Sequence, residues 1–488
     1  MMKPNHGGII VKRSSGVLLH VSSLWGNYSE GSFGKAAKEW IDFLSDCGFS
    51  YWQTLPFCLP DEVNSPYKSF SAFSVNPFFI DLDSLYDMGL LTSKELELSL
   101  QNTPYSCEFD RLHAERFSVL KIACSRFDDW SEVDKFMRSH PHTEDFCKFM
   151  ALREANGNTE WQKWTVSIPD EESLKVWRFA EYIFFKQWHE IKEYAHRKNV
   201  KIIGDIPIYV SSDSSDVMFT PSMFQVNKKG YPKRVAGCPP DYFCEDGQLW
   251  GNPLYDWKRM EGDGYSWWKA RIRFMTELFD GVRIDHFRGL SSYYSIPASA
   301  ETAKEGKWVK GPGLKFIDAI KEAAGDALII AEDLGDIDDN VRKLVRDSGF
   351  PGMRVLQFGF MGDPSSTHLP HTYENNCVAY TGTHDNNTLL GYVWEEGDNR
   401  KNILDYCGCS TDNWDTRESY DTILRMMFRS SAGLVIIPVQ DVLLYGSDTR
   451  MNKPGVKDGN WSYRITREQL SSVNKAKFRH WNEIYNRI

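Results

Sequence analysis

Three carboxylate side chains in this sequence each follow an apolar run of strand length. Asp285, Glu332 and Asp385 stand where three separate buried strands would end and open to solvent. Breaking a bond between sugars passes through an oxocarbenium-like state and uses two carboxyl groups, one as general acid and one as nucleophile or base. The three residues therefore point to chemistry on glycosidic bonds.

The neighbours of two of these residues predict different protonation states. Arg283 lies two residues before Asp285, so in a strand both side chains face the same way, and a fixed positive charge keeps a nucleophile ionised. Apolar residues flank Glu332, and such surroundings raise the pKa of a carboxyl so that it stays protonated as a general acid. His286 and His384 are candidates for hydrogen bonds to sugar hydroxyls.

Each of these features also has a plainer interpretation. Arg283 and Asp285 could form only an ion pair inside a barrel. Glu332 and the next residue, also acidic, could mark the start of a helix. His384 and Asp385 precede two asparagines and could form a polar turn. The occurrence of all three features at separate strand ends favours a shared site.

Eight runs rich in apolar, β-branched or aromatic residues predict the strands that would position these groups. The runs are 16–24, 51–57, 201–210, 279–287, 327–335, 353–360, 378–385 and 434–442. Helical periodicity between them predicts an α/β protein with a (β/α)8 TIM barrel, inserted subdomains and no separate C-terminal β-domain. One such helix has the apolar stripe Ala37, Trp40, Ile41 and Leu44, closed by Gly48.

The connections between the predicted strands are unequal in length. We expect residues 1–488 to form one catalytic barrel, because no linker or repeat divides the chain. Residues 85–165 predict a helical insertion, with a capping box at Thr92 and Glu95. Residues 211–265, dense in Gly, Pro, Asn and Asp, predict a loop-rich insertion that covers the active-site cleft.

Further polar residues fall at the predicted carboxyl ends of strands, where barrel enzymes carry their chemistry. Ionisable groups in apolar runs are costly to bury unless they face a shared cavity. The residues concerned, besides those above, are Ser65, Tyr67, Asp205, Asp333, Gln440 and Asp441.

The composition of the chain limits the kinds of partner and the compartment that we expect for it. The 57 Lys and Arg against 67 Asp and Glu give a net charge of -10, which argues against nucleic-acid binding. No stretch approaches the roughly 18 apolar residues of a membrane span. The ten cysteines include no Cys-x-x-Cys pair. We expect a cytoplasmic protein with buried thiols, without metal or cofactor.

The sequence resembles the 4-alpha-glucanotransferases (amylomaltases, or disproportionating enzymes), relatives of the alpha-amylases, almost from end to end. The resemblance rests on long motifs: Ser-Pro-Tyr-Lys-Ser-Phe-Ser-Ala-Phe at 65–73, Gly-Asp-Ile-Pro-Ile-Tyr-Val at 204–210, Val-Ala-Gly-Cys-Pro-Pro-Asp-Tyr-Phe at 235–243, Gly-Gln-Leu-Trp-Gly-Asn-Pro-Leu-Tyr at 247–255, Val-Arg-Ile-Asp-His-Phe-Arg-Gly at 282–289, Ala-Glu-Asp-Leu-Gly at 331–335, Tyr-Thr-Gly-Thr-His-Asp at 380–385 and Arg-Met-Asn at 450–452.

This resemblance implies a retaining double displacement on alpha-1,4-glucans. The donors would be alpha-1,4-glucans and maltooligosaccharides, and the acceptor glucose or a maltodextrin. Asp285 would be the nucleophile, Glu332 the general acid/base and Asp385 the carboxylate that grips sugar hydroxyls and stabilises the transition state. The remaining contacts to substrate would come from Ser65, Tyr67, Asp205, Trp250, Arg283, His286, His384 and Asn452.

One segment departs from the pattern of the family. Where the family often reads Gly-Tyr-Gly-Asp, this chain has Asp-Glu-Val-Asn at 61–64. Glu62 cannot stack on a sugar as the tyrosine of the family can in a remote glucan groove. Tyr242 and Phe243 remain, and we expect them to grip an acceptor.

Three rival functions stay open at this point. One is an alpha-glucan hydrolase with the same three acids. Another is a metal-dependent barrel hydrolase with His286, His384, Asp285 and Asp385 as ligands, although no His-x-His or His-Glu-x-x-His pattern occurs. The third is a glucan-binding barrel without activity. The oligomeric state and the choice between maltose use and glycogen turnover are also open.

Overall fold

The computed structural model describes residues 12–60, 63–240, 245–410, 412 and 414–488. Twelve strands occur in the described residues. They are β1 (Ser14–Leu18), β2 (Tyr51–Gln53), β3 (Lys201–Ile206), β4 (Arg234–Cys238), β5 (Gln248–Pro253), β6 (Gly281–Ile284), β7 (Ser292–Pro297), β8 (Lys307–Lys310), β9 (Leu328–Ala331), β10 (Gly352–Val355), β11 (Cys377–Tyr380) and β12 (Leu434–Pro438).

Eighteen α-helices accompany these strands in the same part of the chain. They are α1 (Lys35–Cys47), α2 (Leu82–Asp87), α3 (Ser93–Leu96), α4 (Phe109–Arg126), α5 (Trp130–Ser139), α6 (Pro141–Ala155), α7 (Glu171–Arg197), α8 (Ser215–Phe219), α9 (Trp257–Gly262), α10 (Ser266–Leu278), α11 (Leu314–Ala324), α12 (Asp339–Ser348), α13 (Leu389–Glu395), α14 (Arg400–Cys407), α15 (Arg417–Arg429), α16 (Val439–Leu443), α17 (Arg467–Ser471) and α18 (Lys475–Ile484).

Eight parallel strands close into a barrel in the order β1-β12-β11-β10-β9-β6-β3-β2. Each of the eight predicted runs overlaps one of these strands, and β1, β10 and β11 begin one or two residues before their runs, so the predicted (β/α)8 barrel is confirmed. The strands are shorter than the runs because the polar ends of the runs turn away from the barrel into the loops at its mouth. One connection is irregular: residues 356–376, between β10 and β11, form only short 3-10 turns.

The interior of the barrel is filled by apolar side chains, as its parallel strands require. Ile203, Ile330, Val378 and Ile436, from four different strands, are fully buried there. Close packing also explains a glycine on β3. A Cβ atom at Gly204 would lie 2.2 Å from the Phe279 ring, so a larger residue would push β3 away from its neighbour.

The helices pack their apolar stripes against the outside of the barrel. In α1 all four stripe residues, Ala37, Trp40, Ile41 and Leu44, have no exposed surface. The helix ends at Gly48, whose φ of 76° is the left-handed conformation predicted for that position. None of the helices in the described part of the chain is both long and apolar enough to span a membrane.

The insertion predicted at 85–165 contains helices α3 to α6, and α3 begins with the predicted capping box of Thr92 and Glu95. Helix α7 follows and returns the chain to β3. The described cysteines other than Cys238 agree with the predicted thiols, because these eight are free.

A second, four-stranded antiparallel sheet has the order β5-β4-β7-β8. Two of its strands, β4 and β5, lie in the segment 211–265, which was predicted to be rich in loops, and neither strand was predicted. The residues of β5 are largely exposed and do not alternate between buried and exposed, so no alternation marked this strand in the sequence. The other two strands, β7 and β8, come from the connection after β6. We call this sheet the β-module.

Candidate active site

Asp285 is the first residue after β6. Its main-chain N–H donates to the carbonyl of Ile206 at 3.0 Å, which holds the turn at the barrel mouth. Arg283 Nη2 lies 2.9 Å from Asp285 Oδ1, as the strand alternation predicted. About 30% of the Asp285 side chain remains exposed, so the carboxylate is both paired and accessible.

Arg283 is the centre of a buried charge network. Its Nη1 donates to both carboxylate oxygens of Asp205, at 2.9 and 2.7 Å. The Tyr67 hydroxyl donates to Asp205 Oδ2 at 2.7 Å. Burial alone would lower the pKa of Arg283, but Asp205 and Asp285 raise it well above its usual value. The guanidinium is therefore a permanent positive charge behind Asp285.

Glu332 directly follows β9 and is almost completely buried. Its Oε2 accepts from the main-chain N–H of His286 at 2.6 Å, and its Oε1 accepts from that of Leu334 at 2.9 Å. Burial, joined by the nearby charge of Asp285, raises the pKa of Glu332 to about 8, although Arg283 and the two N–H groups oppose this. This shift has the direction that the apolar neighbours of Glu332 predicted.

The pKa of Asp385 is shifted in the opposite direction to that of Glu332. Its Oδ1 accepts from Asn452 Nδ2 at 2.6 Å, and its Oδ2 lies 3.2 Å from His384 Nε2. Burial alone would raise the pKa of Asp385, but the charge of His384 and the hydrogen bonds from His384 and Asn452 lower it to about 2. Asp385 is therefore ionised and oriented, and about half of its side chain faces solvent.

One wall of the site is a flat group of rings. The Tyr67 ring stacks on the His384 imidazole with centroids 5.1 Å apart and planes 17° from parallel. Trp461 lies 5.9 Å from both rings. Flat, partly apolar faces of this kind can pack against the C–H faces of a sugar while polar edges bind hydroxyls.

The opposite wall comes from the β-module. Trp250, on β5, meets the His286 imidazole edge to face with centroids 5.0 Å apart. Burial lowers the pKa of His286 to about 4, so the ring is neutral and can exchange hydrogen bonds with a neutral ligand.

An open cleft of about 390 Å³ lies between these walls. Asp285 and Asp385 both line it. Glu332 and His286 do not belong to the lining; Glu332 lies next to the loop of Asp285, because it accepts from the main-chain N–H of the following residue, His286. Of the predicted binding residues, the lining includes Ser65, Tyr67, Trp250, His384 and Asn452. Asp205 and Arg283 lie behind Tyr67 and Asp285, respectively.

Several lining residues were missed as site residues. They are Lys68, Pro207, Ile208, Tyr209, Asn252, Pro454 and Trp461. Most stand within one of the long motifs, as Tyr209 does in the motif at 204–210, and that position was the available signal. Tyr242 and Phe243, and the departure at Asp61 and Glu62, lie outside the described residues.

The polar residues predicted at two other strand ends bind neighbouring loops and strands. Asp441 accepts hydrogen bonds from the Thr381 hydroxyl and the Leu389 N–H, and Asp333 pairs with Arg354. The Met353 N–H also donates to Asp333 Oδ1 at 2.7 Å, and the side-chain amide of Gln440 donates to the carbonyl of Thr449 at 3.0 Å. The expectation that Asp333, Gln440 and Asp441 share the polar site is therefore wrong, because strand-end position alone does not separate ligand contacts from loop anchors.

The described residues include no group of three or more His, Cys, Asp or Glu side chains arranged to hold a metal ion. Histidines 286 and 384 instead contact Trp250 and Tyr67.

The chain is similar to known proteins over nearly its whole length. Residues 19–470 match the family model Glyco_hydro_77, described as 4-alpha-glucanotransferase. The chain is 41% identical to a 4-alpha-glucanotransferase of Streptococcus pneumoniae, over 98% of each chain. It is 40% identical to that of Clostridium butyricum, over 96% of this chain and all of the relative. The solved amylomaltase of Streptococcus agalactiae in complex with acarbose has a TM-score of 0.92 at 35% identity, over 98% of this chain and all of that one.

Proposed function

We propose a reaction course for this chain, which belongs to the 4-alpha-glucanotransferase family and is a glycosyl-transferring enzyme. The observation that carries the proposal is the contrast between two neighbouring carboxyl groups. The Asp285 carboxylate is paired with Arg283 at 2.9 Å and partly exposed, whereas burial raises the pKa of Glu332 to about 8. Such a pair supplies the nucleophile and the acid of a retaining double displacement on alpha-1,4-glucans.

In the first step Asp285 attacks the anomeric carbon of the donor. The bond from that carbon to the 4-oxygen of the next glucose breaks, and Glu332 gives its proton to that oxygen. The released glucan segment leaves with a free 4-hydroxyl. The remaining segment is joined to Asp285 as a covalent glycosyl ester.

In the second step the ionised Glu332 takes the proton from the 4-hydroxyl of glucose or a maltodextrin. The hydroxyl oxygen attacks the anomeric carbon and displaces Asp285. The new bond has the alpha configuration of the old one, because the carbon is inverted twice. Glu332 is again protonated, and both residues return to their starting states.

Asp385 and the ring wall would position the sugar for both steps. Asp385 keeps a fixed negative charge that can accept hydrogen bonds from two adjacent sugar hydroxyls and stabilise positive charge at the ring. Tyr67 presents a flat face whose hydroxyl is already engaged by Asp205. The binding energy of these contacts would offset part of the cost of distorting the sugar toward the transition state.

Transfer rather than hydrolysis requires that water is kept from the glycosyl ester. An acceptor held in line gains a large effective molarity over a free one, provided that the site excludes competing water. The β-module places Trp250 and Asn252 on the cleft. We assign the shielding to segments 211–265 and 85–165 as lids on a single catalytic unit, 1–488, and to acceptor contacts from Tyr242 and Phe243.

The substrates proposed place the enzyme in maltodextrin or glycogen metabolism. A cytoplasmic location is part of the same proposal, because the free and mostly buried thiols of the described cysteines other than Cys238 suit a reducing compartment.

Incubation of the pure protein with maltotriose tests the proposal. Transfer yields glucose together with maltodextrins longer than maltotriose, whereas a hydrolase yields only shorter products. A product mixture without any longer maltodextrin would contradict the proposed transfer. Asp285→Asn serves as the control for contaminating activity.

A further inference from the structure

Two tryptophans lie together on the surface, apart from the cleft. Trp394, near the end of α13, is 56% exposed. Its ring lies 5.0 Å from that of Trp414, with the planes tilted by 57°. Single exposed apolar residues are common, but two large rings held side by side mark an interaction surface. We call these two residues the tryptophan pair.

The tryptophan pair is held in place by one arginine. Arg400 donates from Nε to the carbonyl of Val393 at 2.8 Å and from Nη2 to the carbonyl of Trp394. Its guanidinium carbon lies 4.0 Å from the centre of the Trp414 ring, a cation–π contact. The surface is therefore built before any ligand arrives, and binding would not need to order it.

The tryptophan pair is also connected to the loop that carries Asp385. The Asn387 side chain, two residues after Asp385, donates to Glu395 Oε2 at 2.9 Å. Glu395 is the neighbour of Trp394 in α13. This seven-residue helix is roughly 10 Å long. The tryptophan pair thus lies about one short helix away from the catalytic loop, while neither of its members lines the cleft.

We propose that the tryptophan pair is a second binding site for alpha-1,4-glucan chains, an inference that rests on the proposed function. The exposed ring of Trp394 can pack against one sugar of a curved glucan, and the part of the half-buried Trp414 that reaches the surface can contact the next sugar. A protein partner fits less well, because a stable protein interface needs roughly 1,000 Å² or more of buried surface.

A second binding site of this kind affects the reaction of long substrates only. A glucan bound at the tryptophan pair keeps its remaining units near the cleft, which raises their effective concentration there. Maltotriose is too short to be held at one site while it reacts at another. The tryptophan pair therefore sets a preference for polymeric donors without altering the chemistry.

The test compares Trp394→Ala with the parent on maltotriose and on amylose, and measures the retardation of each protein in a native gel that contains glycogen. We expect kcat/KM on maltotriose to stay within about twofold. We expect KM for amylose to rise roughly three- to tenfold, as loss of one aromatic contact predicts, and the retardation to fall by a similar factor. Trp394→Phe keeps a flat ring, so its KM for amylose and its retardation by glycogen should stay close to those of the parent.

Tyr86→Ala is the matched control, because Tyr86 is 46% exposed on α2 and lies outside the site. It should behave as the parent in every assay. Unchanged retardation of Trp394→Ala, or an equal loss on maltotriose and amylose, would overturn the second site. Failure of the proposed function is separate: the parent would then give no longer maltodextrins from maltotriose, whatever its retardation by glycogen.

Discussion

The main-chain N–H of His286 donates to Oε2 of Glu332 at 2.6 Å, and this bond joins the loop that carries Asp285 to the proposed general acid. His286 adopts the left-handed conformation, with φ of 48°, which is uncommon for a residue with a side chain. That conformation turns the chain after Asp285 so that its N–H faces Glu332. The distance between nucleophile and acid is therefore set by backbone as well as by side chains.

Replacing Asp285 by Asn tests the nucleophile. We expect a loss of several orders of magnitude in glucose release from maltotriose, because the amide cannot form the glycosyl ester. Asp318→Asn, which changes an exposed carboxylate on α11, is the matched control and should keep full activity. Conversion of maltotriose by Asp285→Asn at the rate of the parent would remove Asp285 from the mechanism.

The pH profile of the reaction should reflect the protonation of Glu332. Because its pKa is raised to about 8, the acid form persists through neutral pH and is lost above that value. We expect kcat/KM on maltotriose to fall about tenfold per pH unit on the basic side of pH 8. Glu332→Gln should be inactive on maltotriose yet still release fluoride from a glucosyl fluoride donor, whose leaving group needs little protonation. No such difference between the two donors would argue against the acid role.

Glu332 should also make the stability of the protein depend on pH. Its pKa of about 8 in the folded state exceeds the ordinary 4.5, so the folded protein holds a proton that the unfolded chain has released between these values. The corresponding stability is fully present below pH 4.5 and is lost as the pH rises toward 8. In thermal unfolding, Glu332→Gln should therefore gain in Tm over the parent from pH 5 to pH 8. A constant Tm difference would contradict the assignment.

Arg283 should matter for folding as well as for activity. Replacing it by Met leaves the Asp205 carboxylate buried without its partner, and we expect the free energy of unfolding to fall by about 3–5 kcal/mol. Adding Asp205→Leu removes the orphaned charge and should recover much of that stability, but not the activity. Denaturant unfolding of the single and the double variant measures these changes in the free energy of unfolding. Equal stability of the single and double variants would show that the pair is not coupled.

The hydrogen bond from Asn452 should orient Asp385. Asn452→Ala removes a donor to a charged group, so we expect kcat/KM on maltotriose to fall roughly 10- to 100-fold. Asn376→Ala removes an exposed amide bond to Gly349 elsewhere and should have no effect. If both variants kept the activity of the parent, the Asn452 contact would have no role in the reaction.

The barrel was predictable from the sequence because its strands are buried on both faces and read as near-continuous apolar runs. The contact of Arg283 with Asp285 and the raised pKa of Glu332 followed from local spacing and apolar neighbours. The pairing of β4 with β7 did not, because it joins segments about 60 residues apart, and local spacing does not show which distant segments pair.

Long-range geometry also decided which strand-end residues reach the cleft. Asp385 and Asp441 follow neighbouring strands with similar local patterns. Only the fold shows that Asp441 is enclosed by Thr381 and Leu389, whereas Asp385 is left open to the cleft.

The β-module draws two strands from the chain after β3 and two from the chain after β6. The two halves meet where β4 pairs with β7, so a half that is taken from a homologue must fit the side chains of the half that stays. A chimaera that aims to alter acceptor choice must therefore transplant both segments together, and evolution faces the same restriction whenever this part of the enzyme diverges.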